Sequence, residues 1–96
     1  MQSYYTQIEF IDLENTFGAY QVDTTNCNTI TIINKSNNAY INVNGVPLLP
    51  SNNNANYLQF RGNENELYNG KLILSEGAIF GIGITFIVIV IKKIYI

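Results

Sequence analysis

The side chains able to do covalent or acid–base chemistry are one thiol, Cys27, and a scatter of carboxylates and amines. Histidine is absent. Its absence removes the imidazole base, the Ser–His and Cys–His nucleophile pairs and a Cys/His zinc site. The best-spaced acidic group is Gly62-Asn-Glu-Asn-Glu66, where two carboxylates stand two residues apart between amides. Alternate oxygen ligands are what a calcium loop presents, but the Asp-x-Asp/Asn-x-Asp/Asn-Gly run and the distal glutamate are missing. The segment reads as a solvated turn. Glu9, Asp12, Glu14 and Asp23 could pair as acid and base, and nothing in their spacing favours it. Cys27 lies between Asn26 and Asn28 with no cation beside it in sequence, so it reads as a small buried hydrophobe. Seven tyrosines, Tyr5, Tyr20, Tyr40 and Tyr57 among them, could offer a stacking surface, but strand tyrosines mostly pack across strands. The expectation is a protein that is not an enzyme, with no catalytic residue, no metal site and no cofactor.

Charge narrows the partners. Five Lys+Arg against seven Asp+Glu give a net charge of −2, which cannot build a phosphate-tracking surface. No direct contact with nucleic acid is expected. One thiol cannot close an intramolecular disulfide. The opening Met1-Gln-Ser-Tyr-Tyr lacks the basic start and apolar stretch of a secretory signal.

The elements that must position these groups read as strands. All 15 Asn fall between Asn15 and Asn69, and nine of the 15 Ile fall from Ile73 onward. Short β-branched and aromatic runs alternate with Asn, Gly and Asp through the first two thirds, the pattern of a small sandwich or barrel. Residues 4–11 alternate, with Tyr4, Thr6, Ile8 and Phe10 on one face and Tyr5, Gln7, Glu9 and Ile11 on the other. Further strands are expected at 17–22, 29–33, 39–43, 46–49, 57–60 and 71–75, with a turn at 34–38 and an exposed loop at 50–56. Asn44-Gly45 is the strongest local signal and a candidate hairpin turn. Both central positions of a type I′ turn need φ > 0, which Asn and Gly adopt at low cost. Asn69-Gly70 is a second candidate of the same kind. Pro47 marks its strand as an edge or a short pairing.

The last third is dominated by residues 78–91, fourteen residues in which Thr85 is the only polar side chain. A helix of that length rises about 21 Å against about 30 Å of bilayer hydrocarbon. Extension backward takes in Glu76, and extension forward takes in Lys92 and Lys93. As one strand, the run sets Phe80, Ile82, Ile84, Phe86, Val88 and Val90 on one face, with Gly81 and Gly83 on the other. Both faces are apolar, so it must be covered twice. Lys92-Lys93 reads as a gatekeeper pair on a strand edge. A sandwich of 96 residues has few ways to cover such a strand, and an uncovered one invites aggregation. Burial against another subunit is the expected solution. It marks Phe86, Val88, Val90, Ile94, Tyr95 and Ile96 as candidate partner-interface residues.

Four segments in order carry a resemblance. They are Cys-Asn-Thr-Ile-Thr-Ile-Ile-Asn at 27–34, Tyr-Ile-Asn-Val-Asn-Gly-Val-Pro-Leu-Leu-Pro at 40–50, Phe-Arg-Gly-Asn-Glu-Asn-Glu-Leu at 60–67, and Lys-Ile-Tyr at 93–95. Together they resemble small β-sandwich virion proteins of tailed bacteriophages, in particular of AT-rich crAss-like phages. The resemblance spans residues 27–96 and carries no catalytic residue. It implies a structural role in the virion, assembled in the host bacterial cytoplasm, most directly as a capsid auxiliary or decoration protein bound to the major capsid protein or other virion subunits. A tail- or fibre-associated component is the first alternative. A small membrane protein anchored near its C-terminus, holin-like, and a glycan-binding adhesion module are the others. The fold expected throughout is all-β, a single antiparallel β-sandwich domain over residues 1–96, with seven or eight strands and a long apolar C-terminal strand.

Overall fold

The computed structural model describes residues 5–12, 19–36, 39–51, 54–63, 66–79 and 88–95. They form eight strands: β1 (Tyr5–Asp12), β2 (Ala19–Gln21), β3 (Cys27–Asn34), β4 (Ala39–Val43), β5 (Val46–Leu48), β6 (Tyr57–Arg61), β7 (Ile73–Ile79) and β8 (Val88–Tyr95). No helix occurs among the described residues.

One hairpin turn organises all of them. Asn44 and Gly45 take φ of 52° and 83° between β4 and β5, the positive values of a type I′ turn. From there the two halves of the chain run back antiparallel, Val43 against Val46, Thr29 against Arg61, Ala19 against Ser75 and Tyr5 against Tyr95. The doubled chain then rolls up. β3 takes β8 as its second neighbour and β4 takes β7, which gives two four-stranded sheets, β1-β8-β3-β6 and β2-β7-β4-β5. Every pairing is antiparallel. This is the double-sheet strand order of a jelly roll.

Residues of period two fill the space between the sheets. Ile30 and Ile32 of β3 and Ile89 and Ile91 of β8 meet Ile41 and Val43 of β4, Leu48 of β5 and Leu74 of β7, all nearly without exposure. Burying each such side chain is worth about 1.5–3 kcal/mol. Asn34, fully buried where the chain leaves one sheet for the other, keeps its amide satisfied. Its Nδ2 donates to the carbonyls of Ala39 (2.8 Å) and Leu48 (3.2 Å), and its Oδ1 accepts from the Ser36 amide at 2.9 Å.

Two expectations are corrected here. Residues 78–91 are not one element, because Ile79 ends β7 in one sheet and Val88 begins β8 in the other. Both ends of the run are therefore extended, which excludes a helix over its whole length. No helix among the described residues is long and apolar enough to cross a membrane. Phe80, Gly81, Ile82, Gly83, Ile84 and the following residues to Ile87 lie outside the described residues. Asn69-Gly70 is no hairpin turn, since Gly45 is the one positive-φ glycine among the described residues and the next strand begins only at Ile73. A Cβ on Gly70 would run into the ring of Tyr68.

Asn44 also works through its side chain. Its Nδ2 donates to Lys71 O at 2.8 Å, and its Oδ1 accepts from Ile73 N at 2.9 Å. One residue thus bends the chain toward β5 and extends the pairing of β4 with β7. In Asn44→Gly the backbone conformation survives and both side-chain bonds are lost, so urea denaturation should show a loss of about 1–3 kcal/mol. Gly45→Ala meets open space but keeps the positive φ, and should cost about 1–2 kcal/mol from that strain alone.

Candidate interaction surface

Among the described residues no group of three or more Cys, Asp or Glu side chains could hold a metal ion. The polar chemistry instead gathers at one end of the β1-β8-β3 layer. β8 is a central strand, so Lys92 and Lys93 guard no edge. Lys92 is exposed on the outer face, whereas Lys93 shares its parity with Ile89 and Ile91 and points inward. Its side chain is 3% exposed, and its Nζ donates to Glu9 Oε1 of β1 at 3.2 Å. Beside it, the rings of Tyr5 and Tyr95 stack with centroids 4.7 Å apart. Cys27, buried, lies against the same cluster with its Sγ directed at Thr25 O.

The electrostatics suit a structural role. Burial pushes the Tyr95 hydroxyl up to about 12, with Cys27 and Glu9 reinforcing the shift. Burial also raises the Cys27 thiol, opposed in part by the charge of Lys93. A raised thiol is a poor nucleophile. Asp23, exposed, is held low chiefly by its hydrogen bonds with Thr25, with a smaller contribution from the charge of Lys93.

Of the acidic segment, Asn63 and Glu66 are tied down by the bulge at Asn28, where β3 slips register against β8. Asn28 Nδ2 donates to the carbonyls of Asn63 (3.1 Å) and Glu66 (2.6 Å), and Asn63 Nδ2 donates to Glu66 Oε2 (3.2 Å). A Cβ on Gly62 would stand 2.7 Å from the carbonyl oxygens of Glu66 and Leu67, so the glycine is required by this close approach. Glu64 lies outside the described residues.

The outer faces of the two sheets differ. On β2-β7-β4-β5 the central outward row is Ala19, Ser75, Asn42 and Pro47, with no large apolar side chain, and Ile73 is exposed beside it. On β1-β8-β3-β6 the strand registers align Phe10, Val90, Ile33 and Tyr57 into one apolar row across all four strands. Phe10 is 74% exposed, Tyr57 and the neighbouring Ile8 57% each, while Val90 between them is 8% exposed. Of the residues singled out from the sequence, Val90 therefore lies in the floor of this row, and Ile94 is half-buried on the same face two rows further along, past Lys92. Tyr95 is half-buried and faces inward, on the stack. Val88 is placed through its backbone pairing with Asp12, and Phe86 and Ile96 lie outside the described residues. Ile8 and Phe10 share a face of β1 by alternation alone, whereas the third exposed anchor, Tyr57, comes from β6. Only the cross-strand register brings the three together.

Two measurements test the buried cluster. Glu9→Gln leaves Lys93 buried without its counter-charge and should destabilise by about 2–3 kcal/mol, below the full range for a buried pair because Glu9 is 38% exposed. Lys93→Met should cost less, and the double variant less than the sum, as read from a denaturation double-mutant cycle. Tyr95 and Cys27 both stay neutral to higher pH in the folded chain than in the unfolded one. The stability they contribute is complete below their unfolded values and is lost as pH rises, for Tyr95 between about 10 and about 12. Melting temperature followed across that window should fall in the native chain and fall less in Tyr95→Phe.

No protein-family model, no curated protein and no solved structure matches the chain.

Proposed function

We propose that the chain is a structural protein of a tailed-phage virion, a capsid auxiliary protein that binds and stabilises the head shell. The observation that carries this reading is the apolar row Phe10–Val90–Ile33–Tyr57, aligned across four strands and solvent-facing at both ends, with Ile8 exposed beside it. Exposed aromatic anchors flanking a buried floor are the anatomy of a protein–protein contact. The four-segment resemblance supports the same class. The jelly-roll order supports it by analogy, being common in viral capsid domains and also in lectins.

Binding would proceed by burial of this row against the coat lattice, each 100 Å² of apolar contact contributing about 2.5 kcal/mol before ordering costs. Repetition over the lattice lets modest contacts hold a shell. The Asn-rich loops would face solvent and supply the solubility that charge does not. A tail or fibre position uses the same surface at lower copy number.

Quantitative mass spectrometry of purified virions tests the proposal. The chain should be present in numbers comparable with the major coat protein. A small fraction of that number places it in the tail or fibre, and absence from the particle overturns the reading. On shells stripped of the chain, Phe10→Ser should rebind about tenfold more weakly or worse, equivalent to about 1.4 kcal/mol.

A further inference from the structure

The four sheet edges are unequal. β2 and β5 are three residues each, and β5 carries Pro47. β6 is five residues and ends on Arg61. These are the devices by which proteins blunt an edge. Of these β1 has only charge, Glu9 and the terminal Asp12. It is eight residues long, contains no proline and no cation, and keeps unbroken register with β8 over its whole length. Its one inward charge, Glu9, is neutralised by Lys93. Among the described residues nothing pairs with its other side, and Thr6, Gln7, Ile8 and Phe10 are exposed along it.

We infer that β1 pairs antiparallel with the β1 of a second copy of this chain, joining two four-stranded sheets into one of eight strands. The strand's own sequence argues for a second copy as the occupant. A two-fold axis that pairs a strand with itself stands perpendicular to the sheet, so outward residues face outward residues and the axis passes through one residue. With the axis at Glu9, two carboxylates oppose each other, which is destabilising. At Gln7 the overlap shrinks to residues 5–9 and sets Tyr5 against Glu9. At Ile8 the pairing covers residues 5–11, sets Ile8 against its own copy and places each Gln7 amide opposite a Glu9 carboxylate. The Gln7 amide can donate to Oε2 there, since Oε1 takes Lys93.

In this register Phe10 of each copy lies diagonal to Ile8 of the other, within reach of an aromatic ring. The two apolar rows are then offset by four residues along the strands and linked through the Ile8 pair and its diagonal Phe10 contacts. The pairing also limits itself. The two-fold contact consumes both copies of the long unguarded edge, so assembly stops at two and does not grow into a filament.

Sedimentation of the full chain over a concentration series should show a reversible monomer–dimer equilibrium. Its mass should approach twice 10.8 kDa and go no higher. Ile8→Glu sets a carboxylate opposite Lys92 in its own sheet and two carboxylates against each other at the axis. At concentrations where the native chain is monomeric it should keep the native melting temperature, and it should shift dimerisation at least tenfold to higher concentration. Ile8→Cys, mildly oxidised, should form a disulfide-linked dimer, because facing residues of an antiparallel pair have Cα atoms about 4.5–5.5 Å apart. Gln7→Cys, opposite Glu9 and not itself, should not. A native chain that stays monomeric up to about 1 mM overturns the inference, as do larger polymers, or a crosslink at position 7 with none at position 8. None of these readouts depends on what the chain binds in a virion.

Discussion

The structure hangs on the pairing of the two halves of the chain about Asn44-Gly45. A type I′ turn imposes the right-handed twist of the strands it joins, and it also fixes which residues face which. Because side chains alternate with period two, a slip of one residue would carry a strand's buried set to the solvent face. Asn44 strengthens the constraint by holding both neighbours of β4, bending the backbone into β5 and bonding β7 through its side chain. Once β4 is fixed between β5 and β7, the remaining pairs are extensions of one doubled ribbon. The cost is topological. The last pairs to be reached, between β1 and β8, join opposite ends of the chain, and closure of such distant contacts is entropically slow.

The β1–β8 layer also holds the unusual interior. β8 brings Ile89, Ile91, Lys93 and Tyr95 to the same face, and the first two are apolar core without qualification. Lys93 is accommodated only because Glu9 arrives from β1 and the Tyr5–Tyr95 stack closes over that end. Such a pair is a weak source of net stability but a strong penalty on misregister, since an unpaired buried ammonium is expensive. The ion pair thus specifies the joining of first and last strands, where the ribbon is furthest from its turn.

The outer surface has a matching asymmetry. One sheet presents a central outer row with no large apolar side chain, and the other presents aromatic and aliphatic side chains aligned across four strands. The same sheet carries the long unblunted edge. A proposed docking face and a proposed pairing edge therefore meet at β1, whose outward residues Ile8 and Phe10 belong to both. In a two-fold dimer the two rows would lie side by side on one eight-stranded face, offset by four residues, which strengthens attachment by bivalency without new contacts.

The strand content was legible from residue types alone, because β-branched and aromatic runs punctuated by Asn and Gly dictate extended backbone locally. The φ > 0 demand of Asn44-Gly45 likewise belongs to two adjacent residues. The absence of imidazole and of paired thiols excluded whole chemistries before any fold was considered. Tertiary structure decided what depends on neighbours distant in sequence. Residues 78–91 look like one apolar element, yet their two ends serve different sheets, because β7 and β8 follow the partners β4 and β3 across the sandwich. Lys93 is apolar-facing by parity, and only the meeting with Glu9 makes that tolerable. On β1 the more apolar face, Ile8 and Phe10, turns to solvent, while Gln7 and Glu9 turn inward, since register with Lys93 outweighs local hydrophobicity. Periodicity tells which residues share a face. Which face is buried is set by long-range pairing, and that sum of distant contacts is not written in any local stretch of the chain.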